Sequence, residues 1–284
     1  MKICRFNSNR IGVVDRDEVI DVTDAYDRSP PWPVPAGDWI ANQLTDTARL
    51  RDAVSKNSTR HALRDTRLDA PVANPGKIIG APINYKAHIE EANADSQINN
   101  GTTYTNLDEF GLFLKAGSSL IGPSDRFTPR FADRRTDHEV ELAVVIGKEA
   151  RAIRKEDALS HVLGFTVGLD MTIRGKEFPT FRKSPDTHCV LGPWLVTPDE
   201  IPSADALDLR LSVNGIERQR SNTRFLIYGV ARLIEYASSF YTLHPGDVIM
   251  TGTPEGVGPV FPGDRIDAHI TSIGDLSIEV GMPR

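Results

Sequence analysis

Apolar residues open the chain in three short bursts, residues 3–6, 11–14 and 19–22, separated by Asn, Gly and Asp, and this predicts a small meander of strands. The proline-laden run 29–35 is a loop, because proline cannot donate to a helical ladder. Asp38 and Thr47 stand where N-caps belong, before stretches that carry Leu44 and then Leu50 and Val54. Residues 1–73 therefore read as a small N-terminal α+β unit. Pro71 and Pro75-Gly76 mark a linker, and residues 74–284 form the larger domain, whose first strand is 77–80.

Within that domain Asn84 is placed to cap a helix from 85 to about 93. Residues 92–110 are rich in Asn, Asp and Thr with little periodicity, and predict a flexible loop that could serve as a lid. A short strand at 111–115 ends in Lys115. A helix at 155–161, closed at Gly164, leads to a nearly apolar strand, 165–170, ending in Asp170. Asn214-Gly215 is a strong hairpin signal, and apolar residues from 224 to 241 recur at helical spacing before His244-Pro245-Gly246.

The stretch 137–147, Asp-His-Glu-Val-Glu-Leu-Ala-Val-Val-Ile-Gly, carries the most information. Alternation puts Glu139 and Glu141 on one face of a strand, and that face continues into Ala143 and Val145. A strand apolar on both sides is covered on both sides, so the acids point into the protein, whereas an edge strand with one wet face is the plainer reading of E-x-E. Like charges so confined raise a pKa or bind a hard cation through oxygen. Asp170, at the end of the next long strand, completes a three-carboxylate set.

His88 and Glu91 stand at i and i+3 on one helix, either as a surface pair or as a base oriented by a carboxylate. Lys115 either snorkels to solvent or serves a site. Arg174, Lys176, Arg182 and Lys183 form a cluster that is either a solvated loop or a receptor for carboxylates. The run Thr251-Gly252-Thr253-Pro254-Glu255-Gly256-Val257-Gly258 lacks a phosphate-loop ending; it is either a tight turn or a close backbone approach to a small ligand.

A net charge of -6 without basic runs excludes a nucleic-acid surface, and no apolar run approaches the ~20 residues of a membrane span. The first residues lack a signal-peptide core, which predicts a cytoplasmic protein. Two cysteines, Cys4 and Cys189, make neither a disulfide framework nor a zinc site.

Taken together, Pro75-Gly76-Lys77, Asn84-Tyr85 with His88 and Glu91, Phe113-Leu114-Lys115, the stretch 137–147, Leu169-Asp170-Met171-Thr172, the run 183–187, Leu191-Gly192-Pro193-Trp194, Val213-Asn214-Gly215 and the run 251–258 resemble the fumarylacetoacetate hydrolase family over about residues 68–282. The resemblance implies an α+β chain with a mixed β roll around a metal site, usually as a homodimer. It implies Mg²⁺ or Mn²⁺ on Glu139, Glu141 and Asp170, and an oxo-acid substrate, a 2,4-dioxo acid or related pyruvate derivative. It implies that the helix bearing His88 and Glu91 closes over the site, and it matches family positions to Lys115, Arg174, Lys183 and Gln219, with Thr253 counted among the substrate-binding residues. Gly175 and Glu177 depart from the family's usual aspartate and glutamine after the arginine, which bears on the substrate's tail.

The expected activity is hydrolysis of the C–C bond of an acylpyruvate. His88, oriented by Glu91, would activate water, Lys115 would meet the developing oxyanion or protonate the enolate, and Arg174 and Lys183 would hold the anionic end. Decarboxylation or isomerisation on the same scaffold, and a metal-stabilised binding protein without turnover, are the alternatives.

Overall fold

The computed structural model describes residues 1–57 and 59–283; Ser58 and Arg284, the last residue of the expected larger domain, lie outside them. A 12-stranded mixed sheet forms the spine. Its centre runs Lys2–Phe6, Cys189–Val196, Val162–Asp170, Val140–Ile146, Val248–Met250, Ile78–Gly80, Phe113–Lys115, antiparallel except where Val248–Met250 meets Ile78–Gly80. A five-stranded sheet built on the hairpin Asp208–Val213 and Ile216–Asn222 packs against it, and a three-stranded sheet holds Thr136–His138. Asn214 and Gly215 both have positive φ, as the short hairpin turn requires.

The strand Val140–Ile146 is buried along its whole length, and its two faces explain the run of apolar residues. Leu142, Val144 and Ile146 join a core with Leu211, Ile266 and Ile278 of the five-stranded sheet and Leu233 and Ile234 of the helix Val230–Phe240. Ala143 and Val145 join a second core with Ile3, Val13, Leu44 and Leu50. Each such side chain taken fully from water contributes roughly 2 kcal/mol. The acidic face of the strand thus leads straight into the core shared with the N-terminal strands.

The meander appears as Lys2–Phe6, Arg10–Asp15 and Glu18–Asp21, and Lys2 and Ile3 pair with Val196 and Leu195 in the main sheet. Several local expectations are corrected. The strand expected across 137–147 is broken at Glu139, where the chain passes from the three-stranded sheet to the spine. The cap of Thr47–Lys56 is Asp46, not Thr47. Asn84 does not cap the helix Lys86–Ala94; its buried amide donates to the carbonyls of Tyr228 and Thr251 and accepts from Tyr228 N. Gly164 lies inside a strand, because a side chain there would collide with Leu195 and the Val196 carbonyl. The helix expected from 224 begins at Val230; a single 3-10 turn covers Thr223–Phe225, and Tyr228, whose N–H donates to Asn84 Oδ1, lies in a bend between them. The expected loose loop 92–110 contains the one-turn helices Ser96–Asn99 and Leu107–Phe110, anchored by buried Ile98 and Leu107. No helix among the described residues is long and apolar enough to cross a membrane.

Asp38 caps Trp39–Leu44 as expected and does more. One oxygen accepts from Ile40 N and Ala41 N, each at 2.9 Å, and the other from Ala73 N and Asn74 N, at 3.0 and 2.8 Å. Asp38→Ala strips four N–H groups of their acceptor, and urea unfolding should show a loss of about 2–4 kcal/mol, with Asp38→Asn recovering part. A change within about 0.5 kcal/mol would remove Asp38 as the joint between helix and linker.

Candidate active site

Asp170 ends its strand opposite the break at Glu139, and its N–H donates to the Glu139 carbonyl at 2.9 Å. The pairing of Val140 with Leu169 then fixes Glu141 beside them. One carboxylate oxygen from each of the three acids lies within 4.8 Å of the others, and all three residues are buried. Two paired strands, and the one-residue break at Glu139 between Thr136–His138 and Val140–Ile146, set the spacing.

Cations hold two of the three. Lys183 Nζ donates to Glu139 Oε2 at 2.7 Å, Asp170 Oδ2 at 2.6 Å and Thr172 Oγ1 at 2.7 Å. Lys115 Nζ donates to Asp170 Oδ1 and to the carbonyls of Lys183 and His188. Arg174 bridges Asp137 Oδ2 at 2.7 Å and Glu139 Oε1 at 2.8 Å. Burial by itself would raise the Glu139 carboxyl, but the charges of Lys183 and Arg174 outweigh it and hold the group well below the usual range.

Glu141 is the exception. It accepts one hydrogen bond, from Gly252 N at 2.7 Å, and has no cationic partner among the described residues. Burial, then the negative charge of Asp170, push its carboxyl well above the ordinary range. Among the described residues Lys115, Lys183, Arg174 and Arg135 pair with Asp137, Glu139 and Asp170, and Glu141 alone of the four acids has no cation in ion-pair reach. An all-oxygen donor set in which one carboxyl has no cation fits a hard divalent ion and offers no soft ligand.

His88 is buried on the wall of a cavity of about 740 Å³ that Glu139, Arg174 and Lys183 also line. Its Nδ1 meets Glu91 Oε2 at 2.9 Å, and Glu91 Oε1 accepts from Gly256 N at 2.9 Å. The glycine-rich run therefore approaches protein carboxylates: Gly252 serves Glu141 and Gly256 serves Glu91. Both have positive φ, and a side chain would collide with Asn84 at the first and with the Arg218 carbonyl at the second.

Glu91, Glu141, Asp170, Lys115, Gln219 and Thr253 do not line this cavity. Lys115 has three acceptors for its three N–H groups and a side chain with no exposure. Gln219 donates to Thr253 Oγ1 and the Pro254 carbonyl while its oxygen accepts from Val140 N; Thr253 donates to the Val140 carbonyl. That pair ties the hairpin and the glycine run to the acidic strand. Sequence reasoning missed Asp137, which anchors Arg174, and Thr172, which completes the acceptors of Lys183; each is a short polar residue beside a residue already singled out. It also missed the wall supplied by Ile98, Tyr104 and Phe113.

Known proteins are similar to this chain over most of its length. The chain is 54% identical, over 99% of its own length and 99% of the relative's, to a maleylpyruvate hydrolase of Aquipseudomonas alcaligenes. It is 37% identical, over 98% of its length and 89% of the relative's, to a mitochondrial oxaloacetate tautomerase of Xenopus laevis. Among solved structures, a maleylpyruvate hydrolase from Sphingobium sp. SYK-6 in complex with manganese(II) and pyruvate matches with a TM-score of 0.84 and 38% identity, covering 100% of both chains. The family described as fumarylacetoacetate (FAA) hydrolase C-terminal matches residues 77–281, and the chain belongs to the fumarylacetoacetate hydrolase family.

Proposed function

We propose that this chain is a metal-dependent hydrolase that cleaves the C–C bond of a 2,4-dioxo acid to pyruvate and a carboxylic acid. The observation that carries the reading is His88, buried on the wall of the cavity that Glu139 also lines and held there by half-buried Glu91. The maleylpyruvate hydrolase relatives, one of them binding manganese and pyruvate, support it.

Glu139, Glu141 and Asp170 would hold Mg²⁺ or Mn²⁺, which when bound supplies a Lewis acid that offsets negative charge on the pyruvate half of the substrate. Arg174 spends two of its five N–H donors on Asp137 and Glu139, so it keeps donors for a substrate carboxylate. Glu91 accepts the Nδ1 proton of His88 and thereby leaves Nε2 free as the base. Nε2 takes a proton from water, the hydroxide adds to the distal carbonyl, and the resulting alkoxide collapses. The bond between that carbon and the methylene breaks, its electron pair goes to the pyruvate fragment as an enolate, and His88 returns the proton to the methylene carbon.

In this scheme Lys115 and Lys183 are positioning residues that hold Asp170 and Glu139 apart from their charges' repulsion, and Gln219 and Thr253 brace the acidic strand. All these residues fall in 74–284, which supports that span as the catalytic unit with 1–73 packed on it. A homodimer belongs to this reading, and exposed Phe225, Phe240 and Phe261 offer it apolar surface.

His88→Ala should lower kcat by about 10² to 10⁴ while metal content and affinity for an oxo-acid analogue stay near the parent's, with Glu91→Gln between the two. Pyruvate release at the parent rate from His88→Ala would refute the base assignment. Identifying the second product as a carboxylic acid rather than carbon dioxide separates hydrolysis from decarboxylation.

Glu141→Gln should leave the melting temperature of the metal-free protein nearly unchanged, because without the ion the buried carboxyl favours its neutral form. The same variant should lose the stabilisation that Mn²⁺ gives the parent, together with activity. A variant that melts like the parent in saturating Mn²⁺ and turns over normally would take Glu141 out of the metal site.

A further inference from the structure

We propose that Arg135, which does not line the cavity, is a positioning residue that sets both the guanidinium of Arg174 and the seat of the helix that carries His88. The inference rests on the hydrolase reading above and adds to it the group that touches both walls of the site.

Arg135 directs its N–H groups two ways. Toward the acidic strand, its Nε donates to Asp137 Oδ1 at 2.7 Å and its Nη2 to Asp137 Oδ2 at 2.9 Å. Asp137 Oδ2 also accepts from Arg174 Nε at 2.7 Å, and the Asp137 side chain has no exposure. A carboxylate gripped at both oxygens by a planar fork cannot turn, so the fork fixes the direction from which Arg174 is held. The main chain adds a second tie, because Arg174 N donates to the Arg135 carbonyl at 2.9 Å. Toward the helix, Arg135 Nη1 donates to Asp95 Oδ2 and to Gln97 Oε1, each at 2.9 Å.

Asp95 stands at a joint. Its N–H donates to the Glu91 carbonyl at 3.1 Å and closes Lys86–Ala94, while its Oδ1 accepts from Gln97 N at 2.8 Å and opens Ser96–Asn99, whose Ile98 and Asn99 line the cavity. Each wall has an anchor of its own, Glu91 on Gly256 and Arg174 on Glu139, and Arg135 reaches the two together through Asp95 and Asp137. An exposed ion pair at a helix end contributes little and concerns neither wall. Here one partner is fully buried and shared with Arg174, so losing the fork lets Asp137 turn about Arg174 and frees the helix end in the same step.

The test uses the Mn²⁺-loaded protein with oxalate, a planar dianion that resembles the pyruvate enolate. Arg135→Gln should bind oxalate about tenfold more weakly and lose about tenfold of its hydrogen-exchange protection across residues 86–99, while the hairpin Asp208–Val213 and Ile216–Asn222, in another sheet, keeps the parent's protection. Asp95→Asn keeps an oxygen for Gln97 N and removes the charge that faces Arg135. It should lower kcat about tenfold and leave KM and oxalate affinity within about twofold of the parent's, because only the helix side is loosened. Oxalate affinity in Arg135→Gln within about twofold of the parent's, or unchanged protection at 86–99, overturns the assignment. So does a loss of protection that reaches the hairpin to the same degree, since the fold as a whole has then loosened. A rise in KM with kcat unchanged in Asp95→Asn overturns the helix half, and a parent that binds no oxalate overturns the Arg174 half. If the parent releases pyruvate from no acylpyruvate, the hydrolase reading fails, and Arg135 still stands or falls on oxalate affinity and exchange, which need no turnover.

Discussion

Asp170 lies between two buried ammonium groups, and the rest of the site is arranged around that contact. Lys115 takes one carboxylate oxygen and Lys183 the other. Lys115 also reaches the carbonyls of Lys183 and His188, so one side chain ties the end of Phe113–Lys115 to both ends of the 183–188 loop and to the acidic cluster. A charged group buried in this way is tolerated only when its donors and acceptors are satisfied, and breaking one partner leaves the other exposed to the full desolvation cost. The cluster is therefore cooperative: the strands position the acids, the acids position the lysines, and the lysines close the loop that forms one side of the cavity.

The same bookkeeping explains why the site is chemically open. Glu139 and Asp170 are saturated by cations, and Glu141 is held only by a backbone N–H. The protein has kept one carboxyl dry and without a cation, and burial with the charge of Asp170 disfavours its ionised form. A divalent ion would supply the missing positive charge and give an anionic substrate a counter-charge. Binding of metal and of oxo acid is in this sense one electrostatic problem solved in two steps.

The acidic cluster was legible in the sequence because its signal is local: a period of two puts Glu139 and Glu141 together, and Asp170 closes the next strand. His88 and Glu91 were legible for the same reason at helical spacing. What could not be read depends on distant partners. Asn84 looks like a helix cap, yet its amide is spent on Tyr228 and Thr251, more than a hundred residues on. Gln219 and Thr253 look like ligand contacts, yet each satisfies the other and the acidic strand. The N-terminal meander looks self-contained, and nothing in residues 2 and 3 announces a pairing with Val196 and Leu195. The gain of a glycine is likewise invisible until its neighbour is known; Gly252 and Gly256 read as turn residues and prove to be donors to Glu141 and Glu91.

Relatives that match nearly the whole chain carry different reactions in their names, a hydrolase and a tautomerase, so the fold and its acidic strand do not by themselves select the chemistry. A carboxylate cluster serves any reaction that develops charge on an oxo acid. Selection must come from groups that meet the cavity without belonging to the cluster, and in this chain those groups sit on two segments. The helix Lys86–Ala94 brings an imidazole whose second nitrogen is already engaged by Glu91, which suits it to activate water. The stretch from Arg174 to Lys183 brings guanidinium groups at two places, one shared with the cluster and one bonded to the carbonyls of Ile173 and Glu177. The first segment is tied to the glycine run through Glu91 and Gly256, and the second to the acidic cluster through Arg174 and Lys183, so the two walls of the cavity are held by different contacts.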